Sequence, residues 1–235
     1  MTGTRTLRVD LQFDGAGFEG WQKQPSARTV QGEVEAALAK ILGSPHSVLG
    51  CGRTDAGVHA EQHVVSFRTE HAMPARELER ALDAVVPEDI GVLSLRDVPS
   101  AFHAQRDAVW KWYRYRILTT RRKRPLRRRR TWRMARVPDL ASLQAAALPL
   151  EGRHDFASFA NIGSAPSSTI RTVHRLRWSA EGDELLLDAV GDGFLYKMVR
   201  TVVGTLLQTA VASDPADAVR RILAARDRQA AGPAA

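Results

Sequence analysis

Hydrophobic and polar residues follow one another along the chain in patterns that predict an ordered series of strands and helices. Leu7, Val9, Leu11 and Phe13 alternate with polar residues, as in a half-buried strand. After a glycine-rich loop, Thr29 is a suitable N-cap for a helix whose apolar residues recur at helical spacing. The elements predicted for the first half are strand 7–13, helix 30–42, strands 47–51 and 63–69, helix 74–85 and strand 90–98.

The second half begins with the predicted strand AVWKWYRYRIL at 108–118, which carries aromatic residues on both faces. The strongest helical stripe of apolar residues lies at 194–211. The other predicted elements are a helix from Pro138 to about Leu148, a hairpin of strands 170–178 and 184–190 around EGD, and a helix at 215–225. The tail AAGPAA has no pattern that predicts structure.

This succession of strands and helices predicts an α+β or α/β protein with helices on the faces of its sheet. DGAGF precedes one helix and GDGF another, which is a weak sign of an internal repeat. No Pro/Ser-rich linker separates the halves. We therefore expect the halves to share one continuous sheet or to pack tightly.

Composition favours a soluble globular protein, because 44% of the 235 residues are hydrophobic and 26% are charged. The N-terminal residues include no apolar signal-peptide core. Lys197 and Arg200 interrupt the most apolar late segment, so no membrane span is predicted. A single cysteine, Cys51, excludes an internal disulfide, and we expect a cytoplasmic protein.

The net charge of +8 comes from one segment, residues 121–130, with the sequence RRKRPLRRRR. This basic segment holds eight of the 34 Lys and Arg residues, and the other 26 equal the 26 acidic residues in number. A dense basic run on an otherwise neutral chain favours a polyanionic partner, and arginine suits bidentate phosphate contacts. Nucleic acid is favoured over a membrane surface, and a solvated loop without a partner is the alternative.

The sequence GCGRTDAGVHA at 50–60 favours a presented carboxylate over an ordinary turn. Glycines on both sides of Arg53 and Asp55 leave room for a close approach of backbone or ligand, and a nearby arginine favours an ionised aspartate. Arg200 lies at the edge of the apolar stripe at 194–211. It either extends its charge to solvent or meets a carboxylate such as Asp55, and both alternatives remain open.

Other reaction classes have less support in the sequence. Asp55, His59 and His63 would share a face only on a helix, and Gly57 argues against a helix there. No Walker, Rossmann or G-x-S-x-G motif is present, and Cys51 is most simply a small core residue. A metal centre is not predicted, and for Tyr113 packing within the sheet is the simpler interpretation from the sequence alone.

Six segments resemble those of the tRNA pseudouridine synthase A family, and they occur in the family's order. They are FDGAGFEGWQKQ at 13–24, GRTDAGVHA at 52–60, AFHAQRDA at 101–108, KWYRYRI at 111–117, HDFASF at 154–159 and FLYKMVRTVVG at 194–204. The resemblance implies an isomerase, an intramolecular transferase that converts uridine to pseudouridine at positions 38, 39 and 40 of the tRNA anticodon stem-loop. It also implies a homodimer that uses no metal and no cofactor.

The fold implied by this resemblance is α+β, with two RRM-like halves. They would share a continuous, mainly antiparallel sheet, with helices on one side and a central RNA cleft. We place the N-terminal half, with the aspartate motif, at 1–105 and the C-terminal half at 106–235. The C-terminal half would contain a basic loop at 119–130 and the helix at 194–211. Family members usually continue beyond the position of AAGPAA into a strand with a Gly-Leu pair near the active site. Either this chain is truncated there or it acts without that strand, and both alternatives remain open.

The resemblance also assigns roles to individual residues. Asp55 matches the essential aspartate, Tyr113 the tyrosine that stacks on the target base, and Arg200 the arginine that pairs with the aspartate. Arg53 matches an arginine that contacts RNA. The basic loop would bind the RNA backbone through Lys123, Arg124, Arg127, Arg128, Arg129 and Arg130. The rival hypotheses are a non-catalytic RNA-binding module that uses this loop and the aromatic strand, and a metal-dependent hydrolase.

Overall fold

A computed structural model of the chain describes residues 3–161, 163 and 166–235. The chain divides into two compact units, residues 1–108 and residues 109–235. The boundary drawn from the sequence, between residues 105 and 106, lies close to this division. Each unit has its own sheet and its own hydrophobic core.

The first unit is a four-stranded antiparallel sheet with two helices. Its strands are β1 (Arg5–Phe13), β2 (Leu49–Gly50), β3 (Ala60–Thr69) and β4 (Ile90–Val98), and its helices are α1 (Val30–Leu42) and α2 (Ala75–Val85). The strand order is β2-β3-β1-β4. The alternating residues of β1 put Leu7, Val9 and Leu11 at zero exposure in a core with both helices. Burial of each such side chain contributes about 1.5–3 kcal/mol.

Strand β2 is shorter than the predicted strand 47–51, and helix α1 is the reason. The backbone N–H of Val48 donates to Glu35 Oε1 at 3.1 Å, and its carbonyl oxygen accepts from Gln31 Nε2 at 3.1 Å. Because side chains of α1 satisfy both backbone groups, Val48 takes no part in the strand ladder. The predicted N-cap of α1 is confirmed, since the Thr29 hydroxyl accepts from the backbone N–H of Gly32.

The described residues of the second unit form a five-stranded sheet with three α-helices. Its strands are β5 (Lys111–Leu118), β6 (Trp132–Arg133), β7 (Gly152–Asp155), β8 (Ile170–Glu181) and β9 (Glu184–Gly191), and its helices are α3 (Leu140–Ala147), α4 (Met198–Thr209) and α5 (Pro215–Ala225). The strand order is β6-β5-β9-β8-β7, and only the short pair of β5 with β6 is parallel among the described strands. The core lies between this sheet and the helices.

Several boundaries in the second unit differ from the predicted ones. Helix α4 begins at Met198 rather than residue 194, because Lys197 has a left-handed backbone with φ of +55° that interrupts helical geometry. Strand β5 begins at Lys111 rather than residue 108. Strand β7 was not predicted, since its four residues, GRHD, have no alternating pattern.

The tail without a predicted structure packs along helix α4. The backbone N–H of Ala235 donates to the carbonyl oxygen of Arg200 at 3.0 Å, and that of Gly232 donates to Thr205 Oγ1 at 2.9 Å. A Cβ atom on Gly204 would lie 1.8 Å from the carbonyl oxygen of Pro233, so glycine is required at this helical position. The tail is therefore held by backbone contacts, which leave no hydrophobic pattern in its sequence.

The predicted α+β class and the mainly antiparallel pairing are confirmed. The expected continuous sheet is instead two hydrogen-bonded sheets, one in each unit. Residues 99–107, between β4 and β5, form hydrogen-bonded turns, including Phe102 N–H to Pro99 O and Asp107 N–H to His103 O. Within the described ranges, no helix has the length and apolar character needed to cross a bilayer.

Candidate active site

Asp55 lies on the loop that connects β2 with β3, and its side chain is half-buried. Its carbonyl oxygen accepts from the backbone N–H of Val58 at 3.2 Å, which closes a turn after the aspartate. The loop is thus an ordered turn between two paired strands. It holds the Asp55 carboxylate partly out of solvent.

A second loop, residues 14–21, supports the Asp55 loop through its backbone. The N–H of Trp21 donates to the carbonyl oxygen of Thr54 at 3.1 Å, and the N–H of Gly57 donates to that of Phe18 at 3.2 Å. The two loops approach so closely at Gly15 that an added Cβ atom would lie 2.0 Å from the carbonyl oxygen of Val58. The glycine-rich sequence DGAGF therefore shapes the support of Asp55.

The histidines near Asp55 also have structural contacts. His59 Nδ1 lies 2.9 Å from Asp14 Oδ1, which joins the two loops by their side chains. His63 is 4% exposed, its ring centroid lies 4.3 Å from that of Trp21, and its Nδ1 lies 3.8 Å from Cys51 Sγ. In the part of the chain that the structure describes, no three His, Cys, Asp or Glu side chains are grouped so that they could hold a metal ion.

Arg53 makes no direct contact with Asp55. Its side chain is exposed, and it makes no hydrogen bond or ion pair with any described residue. The expected effect of a nearby arginine on the Asp55 carboxylate stays a prediction. An exposed guanidinium beside a half-buried carboxylate remains available to a ligand phosphate.

Tyr113 and Arg200 both belong to the second unit, whereas Asp55 belongs to the first. The Tyr113 ring packs edge-on against Phe194, with centroids 5.2 Å apart and planes at 82°. Phe194 lies in the segment that leads to α4 and was not singled out from the sequence. Tyr113 is half-buried and is part of β5, as the packing interpretation expects.

Arg200 projects from the first turn of α4 and is half-buried. Its Nε donates to the carbonyl oxygen of Ala235 at 2.6 Å. A guanidinium has five N–H donors, so this bond leaves the terminal nitrogens for an anion. Burial raises the pKa of the neighbouring Tyr115, and the positive charge of Arg200 opposes part of this rise. The predicted pairing of Arg200 with Asp55 stays a prediction.

The opposite face of β5 carries exposed aromatic and cationic side chains. Trp112, which is 50% exposed, donates from Nε1 to Asp188 Oδ1 at 2.8 Å. Arg114 makes two bonds of 2.8 Å to the same carboxylate, and this interaction holds the pKa of Asp188 below its usual range. Trp112 and Arg114 also stack, with the guanidinium carbon 5.4 Å from the ring centroid. This face thus presents an indole and a guanidinium in fixed positions.

The basic segment 121–130 is exposed along its whole length, but its cations have different surroundings. Arg127 Nη1 lies 2.5 Å from Asp183 Oδ1 and 3.0 Å from Glu184 Oε1, and Arg124 Nε lies 3.6 Å from Asp183 Oδ2. Lys123 and Arg128 form no ion pair with any described residue. Arg124 and Arg127, both assigned to RNA binding, are therefore engaged by acidic residues of the protein itself.

Similarity to known proteins extends over both units. A family model described as tRNA pseudouridine synthase matches residues 11–106 and 146–235, an interval that contains Asp55 and Arg200 but not Tyr113 or the basic segment. The chain is 42% identical over 229 residues to a Halalkalibacterium halodurans protein named tRNA pseudouridine synthase A, covering 97% of this chain and 87% of that protein. Proteins with the same name from Moorella thermoacetica and Geobacter sp. (strain M21) are 42% identical over 231 residues and 39% identical over 225 residues. These matches cover 97% and 96% of this chain, and 94% and 91% of the two proteins.

Substitution of Gly15 tests the support of the Asp55 loop. We expect Gly15→Ala to lower the free energy of unfolding by about 2 kcal/mol, because the new methyl group overlaps Val58 and the two loops must separate. Amide hydrogen exchange at residues 52–59 should rise in the variant. The control is Gly91→Ala, whose Cβ atom would meet nothing within 4 Å. Equal exchange at residues 52–59 in both variants would contradict the proposed support.

Proposed function

Because the chain belongs to the tRNA pseudouridine synthase family, we propose that it isomerises uridine to pseudouridine in tRNA, with Asp55 as the essential carboxylate. The proposal has its main support in the half-buried Asp55 carboxylate on a loop that a glycine-dependent backbone contact holds in place. The activity makes the chain an isomerase and an intramolecular transferase.

The reaction needs a positioned carboxylate and loses no atoms of the nucleoside. The bond between uracil N1 and C1′ of the ribose breaks, and a bond between uracil C5 and C1′ forms. The proton on C5 leaves, and N1 gains one. A carboxylate can act here as a nucleophile at C1′ or at C6, or as a base at C2′ of the ribose. All three routes use the same residue, Asp55.

Tyr113 and Arg200 have properties that suit the roles expected from the family resemblance. A phenol ring held edge-on by Phe194 can stack on a uracil and assist the removal of the C5 proton. Arg200 can use its terminal nitrogens to keep Asp55 ionised and oriented, while its Nε remains bonded to Ala235. We propose these two residues, with Asp55, as the catalytic set.

We propose positions 38, 39 and 40 of the anticodon stem-loop as the targets. A target base there must leave its stack, at a cost of roughly a few kcal/mol that stacking and phosphate contacts offset. The exposed Arg53 and the basic segment are suited to the phosphate contacts. The Trp112 and Arg114 face provides further stacking and cationic groups.

We further propose a homodimer, on the basis of the family resemblance, and a cytoplasmic location, on the basis of the single cysteine. Val109 and Trp110, two exposed apolar residues directly before β5, offer area that a second copy can cover. Native mass spectrometry at micromolar concentration should give twice the 25.9 kDa mass of the chain. A monomer over the whole concentration range would exclude the dimer, and cell fractionation tests the location.

Removal of the Asp55 charge should abolish the reaction without removing RNA binding. We expect Asp55→Asn to lower tritium release from an anticodon stem-loop labelled at uridine C5 by about a thousandfold or more, since no other group replaces the carboxylate. The control is Glu61→Gln, an exposed acidic residue six positions along the chain, which should release tritium at the wild-type rate.

Two other outcomes of this assay would contradict parts of the proposed function. Retained release by Asp55→Asn would remove Asp55 from the chemistry. Absence of release from the wild-type protein, with tight RNA binding, would favour the non-catalytic RNA-binding module.

The salt dependence of the RNA-binding constant should show how many phosphates the basic segment contacts. If the segment neutralises about five phosphates, log K falls with log salt at a slope of roughly −3.5 to −4.5. We expect Arg128→Gln to reduce the size of this slope by about 0.7–0.9, the value for one phosphate. The matched control is Arg76→Gln on the outside of α2, which should leave the slope unchanged. A slope near zero for the wild-type protein would exclude RNA binding by this segment.

A further inference from the structure

The turn between β8 and β9 contacts Thr119, two residues before the basic segment. The backbone carbonyl oxygen of Asp183 accepts two hydrogen bonds from Thr119, from the backbone N–H at 2.8 Å and from the hydroxyl at 2.9 Å. Thr119 directly follows the last residue of β5, where the chain enters the basic loop. The β8–β9 turn therefore fixes the direction in which the basic loop leaves the sheet.

Asp183 of this turn and Glu184, the first residue of β9, contact the middle of the basic segment through their carboxylates. Arg127 bridges Asp183 and Glu184 through one nitrogen, and Arg124 lies within reach of Asp183. The hydrogen bond from Arg127 lowers the pKa of Asp183, so this carboxylate is ionised at neutral pH. Glu184 is only 5% exposed, and Arg116 holds its Oε2 at 2.7 Å. A buried carboxylate needs such partners, so Arg127 and Arg116 stabilise Glu184 as much as it stabilises them.

The far end of the basic segment is fixed by backbone contacts. The carbonyl oxygen of Arg127 accepts from the backbone N–H and the hydroxyl of Thr131, at 3.1 Å and 2.9 Å. Beyond Thr131, β6 pairs with β5, and Arg133 donates to the carbonyl oxygen of Arg121 at 3.0 Å. The loop is thus tied at both ends and at Arg127. Leu126, at 99% exposure, contributes no apolar anchor.

Eight cations within ten residues repel one another, and two carboxylates next to an RNA-binding surface also repel RNA. The ion pairs of Asp183 and Glu184 with the basic segment give a physical reason for the carboxylates to lie beside these cations. We propose that Asp183 and Glu184 are positioning residues, which hold the basic segment in the single arrangement that presents its other cations, Lys123 and Arg128 among them, to the tRNA backbone. This proposal rests on the proposed tRNA binding. It assigns some cations of the basic segment to holding the loop in place and others to contacting the RNA backbone.

Simple electrostatics and the positioning role predict opposite effects for one substitution. Asp183→Asn makes the surface more positive, so charge alone should strengthen RNA binding. If the substitution instead releases the loop, the binding-competent fraction falls to about a third to a tenth, and the Kd for an anticodon stem-loop rises by about three- to tenfold. Glu181→Gln is the matched control, because Glu181 lies in the same hairpin, is exposed, and forms no ion pair with a described residue.

The decisive measurement compares the Kd of Asp183→Asn with that of Glu181→Gln at one salt concentration. Weaker binding by Asp183→Asn, with Glu181→Gln at or slightly below the wild-type Kd, supports the positioning role. Binding by Asp183→Asn that equals or exceeds that of Glu181→Gln overturns it. Arg127→Lys keeps the charge but loses the planar fork, and it should resemble Asp183→Asn.

Limited proteolysis separates this inference from the proposed function. Trypsin should cut within residues 121–130 several times faster in Asp183→Asn and Arg127→Lys than in the wild type and Glu181→Gln, with the melting temperature nearly unchanged. This measurement needs no RNA. Equal cleavage rates overturn the positioning role even if RNA binds, and a wild-type protein that binds no RNA overturns the proposed function even if cleavage rates differ.

Discussion

The position of Asp55 depends on one steric constraint, the contact between the backbones of residues 14–21 and 54–58. An Asp side chain on a loop is useful in catalysis only if the loop has a single conformation. Here that conformation comes from main-chain hydrogen bonds at Trp21 and Gly57, and a Cβ atom on Gly15 would overlap the backbone of Val58 between the same two loops. The glycines of DGAGF and the aspartate of GRTDAG therefore act together, although 40 residues separate Asp55 from Gly15.

In the second unit, a glycine likewise permits the close backbone contact that orients Arg200. Gly204 lets the tail approach α4, and the tail then provides the carbonyl group of Ala235 that accepts from Arg200 Nε. This bond uses only Nε, so the terminal nitrogens of the guanidinium can bind an anion. In both units, a charged side chain with a proposed catalytic role is oriented by a close backbone contact that a glycine permits.

Much of this arrangement follows from local sequence patterns. The cap at Thr29, the alternation of β1 and the bounds of α5 at 215–225 depend on neighbouring residues, and each agrees with the prediction. The position of Asp55 between two strands was also predicted. The start of α4 was not predicted correctly, because nothing in the sequence around Lys197 shows that the backbone of this residue is left-handed.

Contacts between distant residues explain the rest of the differences. The ten residues 121–130 look uniformly basic in the sequence, but only the fold brings Arg127 to Asp183, 56 positions away. Val48 was expected to lie in a strand because it is apolar. It leaves the ladder because two polar side chains of a neighbouring helix occupy its backbone groups.

The late start of β2, at Leu49, has a consequence for association between copies of the chain. β3 continues to Thr69, whereas its pairing with β2 ends at Ser66, so the last residues of β3 form the edge of the sheet. An open edge is a template for unwanted strand pairing. Pro45 nearby has no N–H to donate, and the imidazole of His46 lies 2.9 Å from Thr69 Oγ1. The end of β3 is thus a protected edge, which limits aggregation by edge-to-edge pairing at this place.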